Sequence, residues 1–387
     1  MNINFSQHKV LIVDDNAFNR QLLAALMESI GIKALDFAEN GVQGLEKLAA
    51  FQPDLILLDI MMPEMDDFEM CRRLRAMPEH ADLPVLINTA LGAPEERAAC
   101  FAAGATDMVS KPINGQEVIA RVKIHLERQD LIRDLKLYRE RVEYELSAAK
   151  TMQLALLPDQ EKLDKIAAKH NFILDSHFET SSELGGDFWG VFDLSPTKMG
   201  VFLTDFSGHG VTAAINAFRL HTLISHLPPN DLEPGTWLKQ INIELKQLLP
   251  PGQFATMIYG ILDRERNVFT YAAAGATSPI LCQNGKFEPQ DASGIFIGFF
   301  DGAEYENREI TLNPGDGIFL YSDALSECVG YNGLALDDDG VIEELASACE
   351  KSKVNPLPFL IERFYQLTPR PLNDDLTAVW FFRCNNE

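Results

Sequence analysis

Leu55-Ile56-Leu57-Leu58-Asp59 sets four consecutive apolar residues directly before a carboxylate. A wholly apolar run of this length is what a parallel strand buried on both faces requires. Val10–Val13 (VLIV) has the same character and leads to Asp14 and Asp15. Val85–Ile87 leads to Thr89, and the short run Met108–Val109 to Lys111-Pro112. Helical patterns lie between these runs. Asn19–Ile30 carries Leu22, Leu23, Leu26, Met27 and Ile30 at helical spacing, with Gly31 as its stop. Gly41–Phe51 and Glu95–Ala103 are further helical stretches. Alternating βα units of this length predict an α/β fold, an open doubly wound sheet. In such sheets the chemistry gathers at the carboxyl ends of the strands.

The polar residues fall at those ends. Asp14, Asp15 and Asp59 converge on one crevice and repel one another unless a cation is present. A hard divalent ion held by oxygen ligands, such as Mg2+, is the natural solution. With the Lys111 ammonium and the Thr89 hydroxyl added, the site can stabilise a phosphoryl group in transit. A carboxylate there can act as nucleophile and form an aspartyl phosphate. One aspartate at a strand end is an ordinary loop former. The full set at successive strand ends is not explained that way.

These motifs, LIVDD, LLDIMMPEMDDFE, NTA and SKP, resemble those of the bacterial response-regulator receiver domain, with its flavodoxin-like fold. The resemblance covers about residues 8–126. It implies Asp59 as phosphoacceptor and a metal site from Asp14, Asp15, Asp59 and the Met61 carbonyl. It implies Thr89 as the switch hydroxyl, Lys111 as the phosphate-binding cation and a sensor histidine kinase or phosphotransfer protein as partner. Two positions depart from the pattern. Asp67 stands where the family has glycine, and Met108 where it has an aromatic residue.

The segment from Gly115 to Leu157 has no proline and no further glycine. Leu131, Leu135, Tyr138, Val142, Leu146 and Ala149 recur at steps of four and three, with one extra four. That spacing predicts a long amphipathic helix with an imperfect heptad, and the extra four is a stutter. A parallel dimeric coiled coil is the expectation, against a helix packed on its own domain. Pro158 ends it.

The remainder reads mostly as strands: Val201–Thr204, Ala255–Leu262, Val268–Ala273, Ile318–Tyr321 and Thr377–Phe382. Helices are expected over Val211–Leu227, over Pro234–Leu249 and from Val341 into the 360s. Strands with helices in separate blocks predict an α+β layered β-sandwich domain. Four acidic motifs stand out: Leu-Gly-Gly-Asp187-Phe, Thr-Asp205-Phe-Ser-Gly-His-Gly, Tyr-Ser-Asp323-Ala and Asn-Asp374-Asp375-Leu-Thr. Each alone is a plausible turn. Together they offer oxygen ligands only, which favour magnesium or manganese over zinc. Two such ions ~3.5–4 Å apart can activate a water against phosphorus. His209 is a candidate general acid for the leaving group, against a structural role in its glycine-rich loop. Asp337-Asp338-Asp339 reads as an exposed loop.

These motifs resemble the metal-dependent protein phosphatases of the type 2C class, in the branch typified by SpoIIE and RsbU. The resemblance spans about residues 145–387 and includes Phe254-Ala-Thr-Met-Ile-Tyr-Gly, Gly315-Asp-Gly-Ile-Phe-Leu-Tyr-Ser-Asp323 and a lead-in helix, Glu145–Pro158. It implies Asp187, Asp205, Asp323, Asp374 and the Phe206 carbonyl as ligands of two Mn2+ or Mg2+ ions. It implies phosphoserine or phosphothreonine hydrolysis on an anti-sigma-factor antagonist. Ala324 replaces a glycine of the pattern, which strains the chain if that position needs positive φ. Ala276 replaces a histidine.

The expected organisation is a receiver domain over residues 1–126, a helical coiled-coil linker over 127–157 and a phosphatase domain over 158–387. The expected function is a response regulator whose output is a serine/threonine phosphatase. The alternative is a non-catalytic adaptor that binds a sigma factor or its regulator. The net charge of −24 argues against nucleic acid and against an anionic membrane surface. Cys71, Cys100, Cys282, Cys328, Cys349 and Cys384 form no C-x-x-C pair and fit a reducing compartment. The N-terminus lacks a basic start followed by a long apolar stretch, so a cytoplasmic protein is expected.

Overall fold

The structure is a computed structural model that describes residues 5–384, except 61, 63–66, 90–93 and 231. Of the Asp67 and Glu96 side chains nothing is described. The chain forms two compact units, Met1–Val142 and Glu143–Glu387.

In the first unit five strands alternate with helices: β1 (Lys9–Val13), α1 (Ala17–Ser29), β2 (Ala34–Ala38), α2 (Gly41–Phe51), β3 (Leu55–Asp59), α3 (Asp67–Arg75), β4 (Val85–Thr89), α4 (Pro94–Ala102) and β5 (Asp107–Ser110). α5 (Gly115–Leu154) follows. The strands form one parallel sheet in the order β2-β1-β3-β4-β5, a doubly wound α/β fold. Its two faces are separately packed. Leu11, Val13, Ile56, Leu58, Val85 and Ile87 face one core. Val10, Ile12, Leu55, Leu57 and Leu86 face the other, where Val118, Val122 and Leu126 of α5 dock. α1 starts two residues before the sequence suggests, because the Asn16 side chain caps it by accepting from the Phe18 N–H. β2 escapes the sequence reading because its pattern is half-buried rather than wholly apolar.

In the second unit the elements are α6 (Gln160–His170), β6 (Phe172–Glu179), β7 (Phe188–Asp193), β8 (Lys198–Phe206), α7 (Val211–His226), α8 (Pro234–Leu248), β9 (Ala255–Asp263), β10 (Val268–Ala274), β11 (Ile280–Gln283), β12 (Lys286–Pro289), β13 (Arg308–Thr311), β14 (Gly317–Tyr321), α9 (Ala324–Glu327), α10 (Asp337–Lys351), α11 (Leu357–Leu367) and β15 (Leu376–Arg383). Two antiparallel sheets result, β13-β10-β9-β8-β7 and β12-β11-β14-β15-β6. Val191, Val201, Leu203, Ile258 and Phe269 from the first meet Ile318, Leu320, Val379 and Phe381 from the second in a central sandwich core. The outer face of the first sheet is covered by α7 and α8 through Leu220, Trp237, Leu238 and Ile241. That of the second is covered by α10 and α11 through Val341, Leu345, Leu360 and Phe364. This is the α+β layered sandwich of the sequence reading.

Two local expectations are corrected. The single helix from Val341 into the 360s is two, α10 and α11, separated by the segment that carries Pro356. Asp337-Asp338-Asp339 is exposed but helical. It forms the first turn of α10, where acidic side chains suit the positive end of the helix dipole. Asp338 also accepts from the Tyr321 hydroxyl at 3.0 Å.

Candidate functional sites

The first site forms where β1, β3, β4 and β5 end. The ligand oxygens of Asp14, Asp15 and Asp59 all lie within 4.8 Å of one another. Asp14 and Asp59 are buried, and Asp15 is exposed. Asp14 Oδ1 accepts from the Asn16 N–H at 2.8 Å, while its Oδ2 has no hydrogen-bond partner among the described residues. Burial pushes the Asp14 and Asp59 carboxyls above their usual range, and Asp14 raises Asp59 further by like charge. The Lys111 ammonium opposes this by pairing with Asp59 Oδ1. Three convergent carboxylates, two of them buried and one with an orphaned oxygen, fit a hard divalent cation. Lys111 is brought to Asp59 by the sheet register, in which its N–H donates to the Thr89 carbonyl at 2.7 Å. Thr89 itself is buried at the end of β4. Met61, a predicted carbonyl ligand, lies outside the described residues. Met108 is half-buried against the core that holds Leu74, Ile87 and Cys100, so it packs where an aromatic was expected.

Sequence reading missed Asn88. It is the register partner of Asp59 across β3 and β4, and neither end of its buried amide has a hydrogen-bond partner among the described residues.

The second site lies in the second unit. Asp205 on β8, Asp323 at the start of α9 and Asp374 before β15 line one cleft of about 500 Å³. Asp187, just before β7, is buried and does not line the open cleft. Desolvation pushes the Asp187 carboxyl well up, and the Asp205 charge adds to it. Burial, then Asp323 and Asp374, push Asp205 up to about 8. Burial and Asp374 push Asp323 to about 6. Asp374 is raised by its burial, with His209 partly compensating. All four carboxyls are thus raised by burial and three of them also by their acidic neighbours in this set, a repulsion that a bound cation would relieve. Among the described residues only the Asp14 trio brings three ligand oxygens within 4.8 Å of each other. In the second set the carboxylates act on one another pairwise, Asp187 with Asp205, and Asp205 with Asp323 and Asp374. Asp187 Oδ2 accepts from the Thr377 hydroxyl at 2.6 Å, and its Oδ1 is an orphaned buried oxygen. That orphan and the all-oxygen donor set fit magnesium or manganese.

The Leu184-Gly185-Gly186-Asp187 loop is held from below by Asp375. Its Oδ1 accepts from the Ser181 N–H at 2.7 Å and from the Ser181 hydroxyl at 3.0 Å, and its Oδ2 from the Gly186 N–H at 2.6 Å. The glycines are steric necessities. A Cβ at Gly185 would sit 2.5 Å from Asp375 Oδ2, and one at Gly186 would sit 2.9 Å from the Ala213 Cβ and 3.1 Å from the Phe206 carbonyl oxygen. That places the Phe206 carbonyl beside the Asp187 loop. His209 is exposed. Ala324 is helical, follows an αR Asp323 and carries no positive φ, so its replacement of glycine costs no strain. Ala276 lines the cleft. Asp375, Thr377 and Gln153 are the residues that sequence reading left unassigned here.

A model described as "Response regulator receiver domain" matches residues 10–123. One described as "Stage II sporulation protein E (SpoIIE)" matches residues 195–383. Among curated proteins, "DNA-binding dual master transcriptional regulator RpaA" of Synechocystis sp. is 39% identical over 124 residues, 32% of this chain and 51% of that protein. "Response regulator MprA" of Mycobacterium ulcerans is 38% identical over 123 residues, 32% of this chain and 52% of that one. The chain spans about half the length of these curated relatives. Among solved structures, the "SiaA-PP2C domain of Pseudomonas aeruginosa" aligns with a TM-score of 0.57 at 20% identity, over 64% of this chain and 99% of that one, a likeness of fold. The parallel sheet ending in the Asp14, Asp15 and Asp59 trio thus lies in the segment that matches the response-regulator receiver domain, and the sandwich carrying the Asp205 cleft in the segment that matches the SpoIIE family, so the chain joins a receiver domain to a SpoIIE-type domain.

Proposed function

We propose that the chain is a two-component response regulator whose output is metal-dependent dephosphorylation of phosphoserine or phosphothreonine on a partner protein. The observation that carries this reading is the second acidic centre: three partly buried aspartates that line a cleft and a fourth, Asp187, wholly buried with an orphaned oxygen. A domain with no use for cations gains nothing from keeping mutually repelling carboxylates buried. Ions there would be held by Asp187, Asp205, the Phe206 carbonyl, Asp323 and Asp374. When bound, they supply Lewis-acid activation of water and of the phosphoryl group. Thr377 fixes the rotamer of Asp187 from behind. Asp375 fixes the loop that presents Asp187. His209 is exposed and acts electrostatically on Asp374, and it is the candidate general acid for the leaving hydroxyl.

In the receiver, Asp59 accepts the phosphoryl group from a sensor histidine kinase or phosphotransfer protein. Asp14, Asp15, Asp59 and the Met61 carbonyl would hold Mg2+ there, which would supply positive charge, and Lys111 adds its own against the charge that develops. Thr89 is the hydroxyl that answers the phosphate. The substrate in this reading is a phosphorylated anti-sigma-factor antagonist, which is compatible with the SpoIIE-type match. We assign residues 1–126 to the receiver, 127–157 to the linker and 158–387 to the phosphatase domain.

The test is release of inorganic phosphate from a phosphoserine protein, with Mn2+ titrated in, by wild type and Asp205→Asn. The reading expects metal-dependent turnover that falls by on the order of 10²–10³-fold in the variant, the scale of a lost charge-stabilising ligand. Equal, metal-independent release by both proteins, or none, would return the chain to the adaptor alternative.

A further inference from the structure

Asn88 interrupts the apolar run of β4 just before Thr89. It is 1% exposed, and both ends of its amide lack a hydrogen-bond partner among the described residues. An apolar side chain would fill the position without that cost, so the amide calls for a partner that the unmodified site does not offer. The sheet places it. Side chains two apart on a strand share a face. Ile12, Leu57, Leu86 and Val109 all pack in the core on which α5 docks. Asp14, Asp59, Asn88 and Lys111 each follow one of them by two positions and fall on that face. In the sheet order, Asn88 stands between Asp59, its register partner on β3, and Val109, its register partner on β5. Lys111 pairs with Asp59 although β3 and β5 lie two strand spacings apart, roughly 10 Å. The ion pair therefore spans β4, and Asn88 is the β4 residue on that face at the level of Asp59.

We propose that Asn88 is a positioning residue of the receiver centre: its amide is unmet while Lys111 is paired with the free Asp59 carboxylate, and is met once Asp59 carries a phosphoryl group. This rests on the reading of Asp59 as phosphoacceptor. A phosphoryl group draws the Lys111 ammonium towards its own oxygens. The Asp59 oxygen that Lys111 held then needs a donor, and Asn88 Nδ2 supplies one. Asn88 Oδ1 accepts from the ammonium in its new place. Groups that are unmet in one state and met in the other favour the second by that difference. Asn88 thereby shifts the centre towards its modified state and holds Lys111 on the group that Asp59 carries.

The test is the binding of beryllofluoride, a stand-in for the phosphoryl group, to the full chain at saturating Mg2+. It is followed by the fluorine NMR signal of the bound species in wild type, Asn88→Leu and Asn88→Val, with Asp59→Asn as the blank. The melting temperature of each protein is read without beryllofluoride. The proposal predicts binding weakened about 10–100-fold in both variants, the scale of a hydrogen bond to a charged group. It also predicts an unliganded melting temperature equal to or above that of wild type, because apolar atoms replace an unmet amide. An asparagine of purely structural use lowers the melting temperature and leaves the affinity alone. Equal affinity in a folded variant overturns the proposal. So does weaker binding joined to a lower melting temperature, since the amide is then already partnered in the unmodified chain. Should the leucine variant not fold, Asn88→Val is judged by the same criteria, and failure of both to fold overturns the proposal too. Wild type that binds no more beryllofluoride than Asp59→Asn overturns the reading of Asp59 and the proposal with it. Tight binding by wild type and variants alike overturns the proposal alone.

Discussion

Asp59 and Asp205 meet the same electrostatic problem with different means. Both sit at strand ends with carboxyls raised by burial and by acidic neighbours. Asp59 has Lys111 as a resident counter-charge. Asp205 forms no ion pair among the described residues and faces Asp187, Asp323 and Asp374. In the proposed function the first centre receives a phosphate beside a lysine and the second gathers cations. Asp59→Asn is therefore expected to abolish labelling by acetyl phosphate on a phosphate-affinity gel, with the melting temperature unchanged or raised. Asp375 is a different case. Its carboxylate accepts three hydrogen bonds from the Ser181–Gly186 segment, so Asp375→Ala should lower stability by about 2–4 kcal/mol in urea titration, given ~1.5–3 kcal/mol for bonds to a charged group and partial relaxation. At this scale the sequence was most legible where residue type and strand end coincide, as for Asp14, Asp15, Asp59, Thr89 and Lys111. It was least legible for Asp375 and Gln153. Their roles come from hydrogen bonds to backbone 194 and 32 positions away, and neither residue type announces such a bond.

The elements repeat that contrast. Strands buried on both faces, such as β1, β3, β8 and β14, are continuous apolar runs and were readable within a few residues. β6, β7 and β11 to β13 were not. β6 alternates and is only half-buried, and β7 follows directly on the glycine loop that blurs its start. α5 shows its periodicity plainly, and the structure adds where it changes role. Val118, Val122 and Leu126 are buried on the sheet, while Leu131, Leu135 and Tyr138 are 70%, 67% and 68% exposed within one chain. Large apolar side chains at heptad spacing on an uncovered helix call for a second copy. Sedimentation of wild type should give a dimer, and Leu131→Glu with Leu135→Glu a monomer at the same concentration. A metal prediction belongs here as well. Without ions, Asp205 at about 8 and Asp323 at about 6 keep protons in the folded chain that they lose unfolded. Stability of the metal-free protein is thus full below the ordinary carboxylate range and declines as pH rises through about 6 to 8. Mn2+ replaces those protons, so it should raise the melting temperature more at pH 8 than at pH 6. A larger gain at pH 6 would contradict this.

At the scale of the whole molecule, the proposed function has one acidic centre gain a phosphate and the other remove one, and α5 contributes residues to both units. The net charge of −24 suits neither a nucleic-acid nor an anionic-membrane output, in keeping with the protein partner of the proposed function. A ligand shifts such a device only through a difference in affinity between two states. Asp59 must therefore feel the state of α5, and the Asp187 loop must feel it too. The most direct measurement is the initial rate of Mn2+-dependent phosphate release from a phosphoserine protein by the full chain, with and without beryllofluoride, in wild type and Asp59→Asn. The account predicts a rate that changes severalfold with beryllofluoride in wild type and does not change in the variant. A wild-type rate indifferent to beryllofluoride, at a concentration shown to occupy Asp59, would contradict it.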